Sequence, residues 1–237
     1  MDEMEKMSIF EHLEELRYRI FVSVLVIAAF GLTAFFLVDF LREIILKPAH
    51  GMPLVFLSPP EAFLANIRLA FSAGLIISVP FLLYQVMAFL LPAFYKEERK
   101  VLIPAFIAIG LLFYGGLTFA YFVVFPLAIN FFLGFAGEFL SPMFSFQNYL
   151  SFFTRFHLAF CLVFQVPLIL FILGLLRIVS YDTLKQIRKF ALLGVIIISA
   201  LITPPDFFSQ LLMIGPLYLL FEMGILLVRF VEKRRGE

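Results

Sequence analysis

Charge is scarce in this chain. Only 15% of its 237 residues are Asp, Glu, Lys or Arg, and 63% are hydrophobic, against roughly 25% and 45–50% in soluble domains. A water-soluble fold is excluded and an integral membrane protein is expected. Cysteine is limited to Cys161, inside an apolar run. It forms no internal disulfide and reads as packing. Histidine occurs at positions 12, 50 and 157 only, too scattered for a metal site, and no H-E-x-x-H, G-x-S-x-G or G-x-x-x-x-G-K-[ST] pattern is present. A zinc protease, a serine hydrolase and a P-loop ATPase are disfavoured, and no cofactor is called for. His12 is expected to face the headgroups, His50 to lie in a loop, and His157 to hydrogen-bond a neighbour. With a net charge of +1 and no Lys/Arg-rich tract, nothing points to nucleic acid. The opening MDEMEK is acidic and lacks a basic n-region or small-residue cleavage site, so the first apolar run is expected to be retained.

What is present is long apolar sequence. A helix needs about 20 such residues to cross about 30 Å of hydrocarbon, and six runs are candidates: about 20–41, 67–91, 101–125, 149–176, 190–202 and 207–228. The expected fold is an all-α membrane protein of six transmembrane helices, with residues 1–237 forming a single transmembrane domain and residues 1–19 an amphipathic cytoplasmic lead-in. Prolines at 80, 104, 126 and 167, and another in the last run, fall inside or at the ends of four runs, where freed carbonyls need other partners. Bent walls are expected. The fifth run would reach only about 20 Å, so runs five and six should form a short hairpin that stops short of full depth or sits in a thinned bilayer.

Ser58-Pro59-Pro60-Glu61 and Thr203-Pro204-Pro205-Asp206 each offer a hydroxyl cap, prolines in the first turn and an acid three residues on. Capping alone accounts for these residue types, and both should start helices on one side of the membrane. Fourteen of the 18 Lys and Arg residues fall in segments 1–19, 95–100, 177–189 and 229–235, leaving Arg42, Lys47, Arg68 and Arg155 for the other side. The positive-inside rule then puts both termini in the cytoplasm.

Against that basic inner side, acids stand out. Ser8 and Glu11 have capping-box spacing, so a helix should begin at Ile9. Phe10, Leu13, Leu16 and Ile20 would form its apolar stripe, opposite Glu11, Glu14, Glu15 and Tyr18. Glu15 and Arg19 have the favourable acid-before-base spacing. The segment reads either as an interfacial anchor or as a docking surface for a cation arriving from the cytoplasm. Glu97 and Glu98 precede the third run, where the helix dipole favours an acid and a carboxylate can take a guanidinium in a bidentate pair. An ordinary first-turn pairing with a neighbouring base is the other reading. Inside the apolar runs, Gln165 and Glu222 are costly without partners, and Glu222 is expected either to snorkel to the inner surface or to pair with Arg229 two turns on, a structural role.

HLEELRYR at 12–19, VPFLLYQVMAFLLPAFYKEERK at 79–100, FAYFVVFPLA at 119–128 and LITPPDFFSQ at 201–210 together resemble the TatC family, the polytopic subunit of the twin-arginine protein translocase. The resemblance spans nearly the whole chain. It implies a receptor in the bacterial or archaeal cytoplasmic membrane for signal peptides bearing paired arginines. It implies action with the single-span partners TatA and TatB and with further copies of itself, export of folded proteins, and use of the proton-motive force with no enzymatic step. By the same resemblance, Glu15 with Arg17, and Glu98 with Arg99 beside it, form the signal-peptide site, and Phe89 matches a sensitive aromatic. Pro48 and Asp206 match a first-loop proline and an acid, Thr203 and Gln210 lie on the face where small partners dock, and Gln165 stands where many members carry a glutamate. A secondary transporter of a small solute is the alternative, since bent helices suit alternating access, but no internal repeat or midplane polar cluster supports it.

Overall fold

Apolar runs too long for a soluble helix become long helices here because the backbone can satisfy its polar groups only internally in lipid. The computed structural model describes residues 9–49, 54–93, 96–134, 144–202 and 207–235. They form α1 (Ile9–Phe36), α2 (Val38–Leu46), β1 (Leu54–Val55), α3 (Pro59–Leu90), α4 (Lys96–Phe119), α5 (Phe125–Gly134), β2 (Phe144–Ser145), α6 (Phe146–Val163), α7 (Val166–Leu175), α8 (Tyr181–Gln186), α9 (Arg188–Ile202) and α10 (Phe207–Arg235). Five stretches among the described residues are long and apolar enough to cross a membrane: 11–36, 59–90, 102–134, 146–175 and 210–233. The fifth apolar run forms α9, which has 15 residues and is about 22 Å long.

Three expected boundaries move. The first span ends at Phe36, where a turn at Leu37 starts α2 as a separate helix. Asp39 pairs with Arg42 there at 3.1 Å, and Arg42 donates to Asn66 Oδ1 at 2.9 Å, so the charges end the apolar run. The third span passes Pro126 instead of stopping there. A π-turn over Ala120–Val124, closed by the Phe125 N–H on Ala120 O, absorbs the proline and lets the helix continue as α5. The fourth span breaks at Phe164 and Gln165 and resumes with Pro167 in the first turn of α7.

The chain divides into two units, Met1–Ile44 with Ala62–Gly110, and Ile45–Glu61 with Leu111–Glu237. In the first, α1 and α3 cross at Gly31 and Gly74. A Cβ at Gly74 would lie 2.5 Å from the Gly31 nitrogen and 2.6 Å from its Cα. Small and aliphatic side chains, Ala34, Ala65, Leu69 and Ala70, fill its interior. The second unit has an aromatic core around fully buried Phe125, which meets Tyr149, Phe152, Phe153 and Phe156 at ring-centroid distances of 5.1–5.8 Å. Gly116 approaches α6 closely, a Cβ there falling 2.7 Å from Phe160 O. A second cluster, Leu184, Phe221, Ile225 and Val228, joins α8 to α10 and packs on Val166 and Leu170 of α7.

The Pro-Pro motif at 59–60 starts α3 as expected, and Glu61 Oε2 accepts the Leu57 N–H at 2.6 Å. Its other oxygen accepts from the Ser145 hydroxyl and from the Gln147 N–H at 3.3 Å, beside the parallel β1–β2 pairing of Leu54 with Phe144 and Val55 with Ser145. Ser8, His50 and the Thr203–Asp206 motif lie outside the described residues.

Candidate functional site

One turn of α1 places Glu15 under Arg19, and the pair forms as its spacing predicts. Arg19 donates to Glu15 Oε1 from Nε at 2.9 Å and from Nη2 as well, while Nη1 donates to Gln85 Oε1 of α3 at 3.1 Å. Both bonds to the carboxylate fall on one oxygen. The second oxygen, Oε2, is buried and accepts no hydrogen bond among the described residues. His12 Nδ1 stands 3.8 Å from it, and the His12 ring stacks on Phe89 with centroids 4.2 Å apart and planes at 12°.

The expected stripe is split: Leu16 lies on the packed face, two of its other members do not, and the Phe10 side chain is outside the described residues. Leu13 and Ile20 are 56% and 54% exposed, while the packed face carries His12, Glu15, Leu16 and Arg19. Where the surroundings are lipid, apolar side chains gain nothing by turning inward, and polar ones must find partners inside. His12 stands in the site, beside Glu15 and against Phe89. Its spacing with Glu15 and Arg19, three then four residues, was the available signal, as was the four-residue step from Gln85 to Phe89. Gln85 itself offered no other sign.

The arrangement leaves a half-committed carboxylate in partly desolvated surroundings. An uncompensated charged oxygen of this kind costs upwards of about 1–3 kcal/mol, which a second guanidinium would offset through a charge-assisted hydrogen bond. The other expected site residues are distributed as follows. Arg17 is exposed on α1. Glu98 occupies the first turn of α4, its side chain outside the described residues. Pro48 is buried in a single turn, Lys47–Ala49, that packs on α5. Gln165 donates from Nε2 to Cys161 O at 3.1 Å, replacing the backbone bond lost when the Gln165 N–H turns to Leu162 O. Gln210 donates to Ile196 O at 3.1 Å, tying α10 to α9. Thr203 and Asp206 are outside the described residues.

Glu222 does not pair with Arg229. It takes Arg188 Nη2 at 2.7 Å and the Tyr218 hydroxyl at 2.9 Å, whereas the Arg229 guanidinium lies 5.2 Å from the Tyr181 ring centre. Arg188 begins α9, which packs on α10, and so arrives from the neighbouring helix. His157 is hydrogen-bonded as expected, Nδ1 lying 2.7 Å from Phe153 O, and Cys161 is buried.

Residues 11–216 match the model of the Sec-independent protein translocase protein TatC family. The chain belongs to the TatC family. It is 40% identical over 235 residues to the Sec-independent protein translocase protein TatC of Carboxydothermus hydrogenoformans, covering 98% of this chain and 97% of that one. The TatC protein of Escherichia coli K12 is 36% identical over 224 residues, 92% of this chain and 87% of the relative. A crystal structure of a twin arginine translocase receptor, TatC, superposes with a TM-score of 0.78 at 35% identity, covering 93% of this chain and 99% of that one. A second, in the detergent DDM, gives 0.80 at 35% identity. As a TatC-family member the chain is a multi-pass membrane protein of protein translocation.

Proposed function

We propose that this chain is the signal-peptide receptor and core membrane subunit of a twin-arginine translocase, exporting folded proteins with the proton-motive force. The single observation that carries the reading is Glu15, a partly buried carboxylate with one oxygen paired and the other accepting no hydrogen bond among the described residues. In a family with a member solved as a twin arginine translocase receptor, such a group suits an incoming arginine.

In this reading α9 joins the five long stretches as a sixth, shorter span of one transmembrane domain, with both termini on the cytoplasmic side of a bacterial or archaeal inner membrane. Glu15 and Glu98 take the paired arginines, with Arg17 and Phe89 beside them. Pro48, Gln165, Thr203, Asp206 and Gln210 shape or form the surfaces used by TatA, TatB and further copies of the chain.

The test is site-specific photocrosslinking from positions 15 and 98 to a precursor bearing Arg-Arg or Lys-Lys. Crosslinks to the Arg-Arg form alone, lost in Glu15→Lys and Glu98→Lys proteins that still insert in the membrane, are expected. Binding that survives both reversals puts the site elsewhere.

A further inference from the structure

We infer that Gln85 keeps the Glu15 site open by holding Arg19, so that a residue outside the carboxylate sets its affinity for a guanidinium-bearing peptide. The inference rests on the receptor reading above and adds a positioning residue to it.

An arginine beside a carboxylate ordinarily forms a fork, two parallel N–H bonds to the two oxygens. Arg19 does not. Its Nε and Nη2 both point at Oε1, and Nη1 is taken by Gln85 Oε1 at 3.1 Å. The third bond comes from a different helix, α3, whose approach to α1 is set by the backbone contact between Gly31 and Gly74. Gln85 is buried, so its amide oxygen is a fixed acceptor and not a mobile surface group. It turns the guanidinium so that Oε2 accepts no hydrogen bond among the described residues.

Remove that acceptor and Arg19 loses the reason for its orientation. Nη1 is left unpaired in a partly buried place, and the fork on Glu15 becomes its best remaining arrangement. Both oxygens would then be saturated from within the chain. A peptide would have to displace a partner only one helical turn away, held at high effective concentration. The same geometry explains how the site accommodates its own arginine without being closed by it.

The experiment measures binding of a fluorescent Arg-Arg signal peptide, with a Lys-Lys peptide as control, to the full chain in detergent by anisotropy. Gln85→Leu, which removes the acceptor at similar size, should weaken binding about tenfold or more, the worth of one charge-assisted hydrogen bond. Gln85→Glu retains an acceptor and should bind at least as well as the parent. In an Arg19→Met background, Gln85→Leu should have no further effect, because the residue acts through Arg19. An unchanged affinity in Gln85→Leu, an equal loss in Gln85→Glu, or a loss that persists without Arg19 overturns the inference. If the parent fails to prefer Arg-Arg and Glu15→Gln changes nothing, the receptor reading falls and takes this one with it. If the parent prefers Arg-Arg and Glu15→Gln abolishes that preference while Gln85→Leu does not, only the role of Gln85 falls.

Discussion

Arg177 closes α7 with a positive φ of 61°. Its N–H reaches Gly174 O at 3.1 Å and the next, of Ile178, reaches Leu173 O at 2.9 Å, the paired closure in which glycine is usual. A side chain in that region costs about 1 kcal/mol. Arg177→Gly is therefore expected to raise the thermal midpoint in detergent by about 2–4 °C. A fall would show that the guanidinium contributes more than the backbone strain removes. Gln165 makes the opposite case. Its amide N–H supplies the bond that Cys161 O loses at the break between α6 and α7, a need that no pattern of residues advertises. Gln165→Leu should lower stability by about 0.5–2 kcal/mol, measured by thermal unfolding. Unaltered stability with lost export would assign the residue to a partner surface instead.

At the scale of helices, contact depends on a few places where a side chain would not fit. Gly74 meets Gly31 backbone to backbone, and Gly116 meets Phe160 O. Neither neighbour can rotate aside. Gly74→Ala should separate α1 from α3 and destabilise by about 1–3 kcal/mol, and it should weaken Arg-Arg peptide binding as well, because Arg19 and Gln85 sit on the two helices that this contact holds together. Gly194→Ala is the control. Nothing lies within 4 Å of the added carbon in α9, so the change should be neutral or stabilise by up to about 1 kcal/mol through helix propensity. Equal losses from the two substitutions, read by thermal unfolding, would remove the close-packing argument.

For the whole molecule, the short helix is the feature with the widest consequence. At about 22 Å, α9 falls short of about 30 Å of hydrocarbon. Spin labels near its C-terminal end, at exposed Ala200, should report a position still shielded from water-soluble relaxation agents. Full exposure there would mean that the bilayer is thinned around α9.

Helix content, membrane residence, the shortness of the fifth run, the Glu15–Arg19 pair and the family resemblance were legible in the sequence. Each depends on composition, on local spacing or on motif, and those survive in one dimension. What only the tertiary structure decided is which side of each helix turns inward. Of the stripe expected at Phe10, Leu13, Leu16 and Ile20, Leu13 and Ile20 point outward while Leu16 packs inward beside Glu15. Gln85 entered the site on α3, 66 residues along the chain from Arg19 of α1, and His12 is held there by its stack on Phe89 of that same helix. The same holds for Glu222 and Arg188, and for Glu61 and Ser145. A polar group removed from water takes whichever partner the crossing helices bring within hydrogen-bonding distance, and that choice is written in no local pattern.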